Sequence, residues 1–132
     1  TLTNNKLELS NVLEGSEILE LRNIIKEIKI AEPVKEYALK LILATHPELE
    51  YGAEIAKKYV EAGAGPRAAQ GIIAGAKVRA VMEGRLNVSF EDIKELAYPV
   101  LRHRIILNFD AITEGLNEED IISKILEDLK VV

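Results

Sequence analysis

GAGPRAAQGIIAGAKVRAVMEGR, residues 63–85, carries a strong helix signal with an arginine placed directly behind its opening proline. Ala69, Ile72, Ile73, Ala76 and Ala80 recur at three- and four-residue steps, which predicts a helix with one core-facing stripe from Pro66 to Glu83. Gly84 supplies the stop. A helix that begins at Pro66 leaves first-turn N–H groups open and points the positive end of its dipole outward. Both effects favour a phosphate beside Arg67. The positions that follow Arg67 along its own face are Gly71, Ala74, Gly75 and Val78. Glycine inside a helix costs about 1 kcal/mol relative to alanine, so Gly71 and Gly75 imply a close approach to that face. The visitor is either a neighbouring helix of the same bundle or a docking partner, which makes both glycines interface candidates.

Outward from this segment the helical period continues in both directions. Upstream, Ser16 is placed to cap a helix whose stripe is Ile18, Leu21, Ile24, Ile25 and Ile28, predicted to bury one face. Pro33 suits the first position of a helix over about 33–45, with Val34, Tyr37, Ala38, Leu41 and Ile42 inward. His46, before Pro47, reads as a helix-end residue rather than a ligand. Residues 50–63 read as a partly helical insertion around Ile55, Ala56, Tyr59 and Val60, stopped by Gly63 and Gly65. Downstream, Ser89 and Asp92 have capping-box spacing. Tyr98-Pro99 should interrupt the helix that follows, because a residue before proline disfavours helical backbone. VLRHRIILNFDAI is mixed by pattern, and Asn117 opens a last helix bearing Ile121, Ile122, Ile125 and Leu129. Residues 1–15 show no sustained period and read as a lead-in. With no hairpin signal and no repeat, the expected fold is an all-α bundle of about five to six helices.

Composition narrows the function. A chain of 132 residues is one domain by length, long enough to bury a core without crosslinks, and it has no cysteine for disulfides or thiolate metal sites. That composition is compatible with a reducing, cytoplasmic setting. His46 and His103 are far apart, the aromatic share is only 5%, and no apolar run approaches the ~18 residues of a membrane span. The net charge of −5 opposes a simple nucleic-acid binder. It is unevenly spread: residues 66–104 hold seven Lys/Arg against four acids, a local +3, leaving −8 for the flanks. An anion-facing surface therefore belongs to the middle third, and a helix-turn-helix reading of that segment is opposed by the acidic flanks. The chain opens on Thr1, which fits a processed product or a piece of something longer.

No phosphate loop, dinucleotide fingerprint, HExxH or GxSxG is present in the sequence. Phosphoryl transfer needs preorganised amides, a lysine and a metal site, so this chain by itself is not expected to be a competent enzyme. Arg102, His103 and Arg104 form a second basic cluster, which either contacts another domain or subunit or makes ion pairs with the acidic flanks.

The order GxGPRA, small-residue helix, EGR, EDI and VLRHRI resembles the C-terminal helical lid of MoxR-like AAA+ ATPases. ILELRNIIKEIKIAEPVKEYALKLILATHPE is similar to that family's first lid helices, so the resemblance spans about residues 12–127. It implies that residues 1–15 connect to an upstream P-loop core and that residues 16–132 are the lid. On the same resemblance Arg67, with Pro66 starting its helix, matches the sensor-2 arginine that reaches ATP, while Mg is held by the core. The full-length parent would be an ATP hydrolase in a hexameric, chaperone-like motor acting on protein clients, among them proteins with von Willebrand factor A domains. Two departures stand out. Gly65 replaces a serine that often caps the sensor helix, and the stretch 50–63 exceeds the family's usual link, where it would reshape the lid's rim or meet a neighbouring subunit. The alternative outside this family is a freestanding helical interaction module with the Gly71/Gly75 face as its groove.

Overall fold

Pro33 and Pro66 each open a helix, where a missing N–H leaves no hydrogen bond unmade. The computed structural model describes residues 6–131, and its elements run α1 (Gly15–Lys26), α2 (Glu32–Ala44), α3 (Glu54–Tyr59), β1 (Val60–Ala62), α4 (Pro66–Met82), α5 (Phe90–Leu101), β2 (Ile106–Leu107), α6 (Phe109–Thr113) and α7 (Glu118–Asp128). The all-α bundle is as expected, with seven helices among the described residues because α3 and α6 are single short turns. The lead-in expected over residues 1–15 falls partly outside the described residues, and from residue 6 no helix forms before Gly15.

The long α4 is the axis of the bundle. It packs on α5, α2 and α1, and its alanine and isoleucine stripe (Ala69, Ile72, Ala76, Ala80) is buried. Ile73, expected inward, lies half-exposed on the flank of that stripe. Small side chains let the other helices come close, and larger ones fill the space between: Leu41, Ile93, Leu101, Ile121, Ile122 and Ile125 are fully buried. Burying such a side chain contributes about 1.5–3 kcal/mol. Gly84, at φ 73°, turns the chain out of α4 in the left-handed conformation that glycine adopts without strain.

Several expectations are corrected. Glu14, not Ser16, caps α1, in a reciprocal box with Glu17. The α1 stripe is not buried either, since Ile18, Leu21 and Ile24 are 41–48% exposed and only Ile28, past the helix end, enters the core. Apolar periodicity marks which face can be covered, and among the described residues α4 covers only part of it. Pro99 lies inside α5 rather than ending it. Its missing N–H frees the Glu95 carbonyl, but Glu95 and Pro99 are both exposed, so water can take that acceptor. Ala97 and Leu101 meanwhile hold the helix to the core from its other side. The insertion is one helical turn that ends at Tyr59, ahead of the glycines, and passes into a strand. That strand, β1, pairs antiparallel with β2 (Val60 opposite Leu107, Ala62 opposite Ile106), which resolves the mixed segment after Leu101 into turn, short strand and α6. The capping box at Ser89/Asp92 forms as the spacing predicts, and Asn117, expected to open the last helix, does so in a box with Asp120.

Candidate functional site

The N-terminal turn of α4 is built without a side-chain cap. Gly65 occupies the cap position in extended conformation, Pro66 has no N–H, and Ala68 N–H is taken by the Gly65 carbonyl at 3.0 Å. The Arg67 N–H is an open donor of that turn among the described residues, and no acid lies in it. The Arg67 side chain is exposed, and among the described residues no ion pair or hydrogen bond engages its guanidinium. Positive dipole end and free cation therefore coincide.

Other arginines of the middle segment are occupied. Asp92, fully buried, accepts from Arg79 Nη1 at 2.5 Å and from Arg85 Nη1 and Nη2 at 2.8 and 2.5 Å, and Ser89 N–H adds a bond at 2.8 Å. Burial alone would raise the Asp92 carboxyl, but the hydrogen bonds from Arg85, from the Ser89 amide and from Arg79 more than reverse it and hold it well below the usual carboxylate range. Arg85 and Asp92 belong to the EGR and EDI motifs, which thus meet as one ion pair at the α4–α5 corner. Arg102 pairs with Glu119 at 2.7 Å, and Arg104 donates to the Val100 carbonyl at 2.8 Å. His103 is exposed. The ion-pair alternative for this cluster is therefore met at Arg102.

Gly71 and Gly75 face α5. A Cβ at Gly75 would come within 3.0 Å of Leu96 Cγ, and one at Gly71 would lie 3.6 Å from a Val100 methyl. The close visitor at both glycines is a helix of the same bundle, α5. This antiparallel register also brings the 102–104 turn to the end of the bundle that carries Arg67. Ala74 and Val78 remain exposed.

Sequence reasoning missed the device that holds the approach to Arg67. The Thr45 hydroxyl, fully buried at the end of α2, donates to Ile42 O at 2.6 Å and accepts from Ala64 N–H at 3.0 Å. His46 Nε2 lies 2.6 Å from the Ala64 carbonyl, which can only accept, and Nδ1 faces Glu48 Oε1 at 2.8 Å. The His46 hydrogen bond is among the causes that lower the Glu48 carboxyl, after its own backbone bond. His46 is the helix-end residue expected, and its side chain reaches a backbone carbonyl 18 positions further along the chain. Beside it an open apolar cleft of about 730 Å³ lies between α2 and α4, lined by Leu39, Leu43, His46, Pro66, Ala69 and Ile73 among others. Among the described residues no three acids or histidines gather as a metal site, and no helix is long and apolar enough to cross a membrane.

Comparison with known proteins places this geometry. The AAA lid domain family matches residues 52–125, more than half of the chain. The chain is 31% identical over 120 residues to Chaperone MoxR1 of Mycobacterium tuberculosis, covering 91% of this chain and 32% of that protein. It is 26% identical over 125 residues to the uncharacterized protein YeaC of Bacillus subtilis, covering 93% and 36%. A crystal structure of a provisionally assigned ATPase from Cytophaga hutchinsonii superposes with a TM-score of 0.82 at 40% identity, over 89% of this chain and 36% of that one. The chain spans about a third of the length of the curated relatives it matches. With lid-type helices around α4 and these likenesses along nearly all its length, the chain belongs to the AAA lid domain family, as the lid of a MoxR-like AAA+ ATPase.

Proposed function

We propose that Arg67 is the sensor-2 arginine of this lid and reaches the phosphates of ATP held by a P-loop core in the full-length protein. One observation carries the reading: an exposed arginine without an anionic partner among the described residues stands at a helix start whose dipole and open N–H favour the same charge. Residues 16–132 are then the lid and residues 1–15 its connector. The guanidinium and the Arg67 N–H fit a phosphate oxygen, whereas the Mg would be held by the core. Arg67 stabilises negative charge on the phosphate and ties nucleotide state to lid orientation. Alone, this chain would bind ATP weakly, because one arginine and one helix end leave most of the phosphate in water. The parent on this reading is a cytoplasmic, hexameric ATP hydrolase that remodels protein clients, von Willebrand factor A domain proteins among them. Arg67→Ala in the full-length protein should lower the steady-state kcat for ATP about 100-fold, the scale of losing one charge-stabilising donor. Turnover equal to wild type would remove the sensor assignment.

A further inference from the structure

Ala64 stands three residues before Arg67 and is 1% exposed. Both of its backbone polar groups are taken by two consecutive side chains at the end of α2: its N–H by Thr45 Oγ1 and its carbonyl by His46 Nε2. Between this held residue and Arg67 lie only Gly65 and Pro66. Proline has a fixed φ, so Gly65, exposed and with open space where a Cβ would stand, is the one soft joint. The Gly63 side of Ala64 is closed as well, since a Cβ there would fall 2.7 Å from the Thr45 carbonyl and 2.9 Å from His46 Cγ. Glu48 Oε1 stands 2.8 Å from Nδ1, so both ring nitrogens face acceptor atoms.

We infer that His46 is a positioning residue for Arg67: by holding the Ala64 carbonyl it fixes the entry into α4 and the direction in which the arginine leaves the bundle. The inference rests on the sensor reading of Arg67. Thr45 alone would hold one end of the Ala64 residue and leave its carbonyl free to swing about the Gly65 joint. The second hold at His46 removes that freedom. His46 touches no nucleotide in this scheme, and its effect passes through Arg67.

The test is a mutant cycle on steady-state ATP turnover in the full-length protein. His46→Phe keeps a ring in the apolar cleft and removes the donor, and His46→Gln carries an amide N–H near the place of Nε2. His46→Phe should lower kcat about 10-fold, the scale of misplacing a charged group by less than 1 Å, with KM within about 2-fold of wild type. His46→Gln should recover most of the loss. In an Arg67→Ala background, His46→Phe should cause no further fall, because the group it positions is gone. If Arg67→Ala lowers kcat while His46→Phe does not, or if the two losses multiply, the positioning role is overturned and the sensor reading stands. If Arg67→Ala leaves kcat unchanged, the sensor reading falls and the positioning role with it.

Discussion

The two ends of α4 hold their arginines in opposite conditions. At the C-terminal end Arg79 and Arg85 are spent on the buried Asp92, which also closes the capping box of α5. At the N-terminal end Arg67 is exposed and no acid lies in its turn. The devices that fix the two ends differ in the same way. One is a box between residues three apart, and the other is a hold on Ala64 by side chains 18 and 19 residues away. A cation satisfied within the chain belongs to folding, whereas one that meets no anion among the described residues, at the end of a braced helix, is available to an anion brought by something else.

Disturbing the hold on Ala64 should have the largest effect. In Gly63→Ala the new methyl meets the Thr45 carbonyl at 2.7 Å and its hydroxyl at 2.8 Å, and the hydroxyl cannot retreat without releasing the Ala64 N–H. The variant should lose about 3 kcal/mol of stability, about 10 °C in thermal midpoint. A midpoint within about 2 °C of wild type would mean the hold on Ala64 is pliable.

The opposite end is tested through Asp92. Asp92→Asn should cost about 2 kcal/mol at neutral pH; the loss is moderated because Arg79 and Arg85 are partly exposed and can turn to water. The pH dependence has a definite sign. Asp92 has a lowered folded pKa, so its contribution is complete above the unfolded value of about 3.9 and is lost as pH falls from there toward the folded value. The stability gap between wild type and Asp92→Asn should therefore be constant near neutrality and narrow on acidification, as followed by chemical denaturation at stepped pH. A gap that widened on acidification would contradict the pairing.

The smallest effect lies midway along α4. Gly71→Ala places its methyl at an ordinary 3.6 Å from Val100 and should stabilise the chain by about 0.5–1 kcal/mol through helix propensity. The same change at Gly75 must displace Leu96 and should gain less. Equal gains at both positions would show that α5 does not press on the Gly75 face.

Much of the fold was legible because its signals are local. Pro33, Pro66, Gly84 and the boxes at Ser89 and Asn117 act within a turn of where they stand. Pro99 misled because the rule that a residue before proline avoids helical backbone is a local preference, while Ala97 and Leu101 hold the surrounding helix in the core. β1 and β2, three and two residues long, are too short to show a period. For α1 the pattern named the apolar face correctly but could not say whether anything covers it. Of the candidate site, Arg67 and its helix start were legible, and so was the close approach at Gly71 and Gly75, though not the identity of the visitor. Nothing in ATHP announced that Thr45 and His46 would grip Ala64.

The starts of α2, α4, α5 and α7 and the apolar faces of the helices could be read from the sequence, because they depend on dihedral preferences and hydrogen bonds that close within three or four residues. That Arg67 meets no anion among the described residues, that Arg79 and Arg85 are bound to Asp92, and how the entry to α4 is braced follow from tertiary structure alone. Those outcomes depend on which distant side chains the folded path brings within hydrogen-bonding distance, and an acid or a histidine carries no local mark of the partner it will meet.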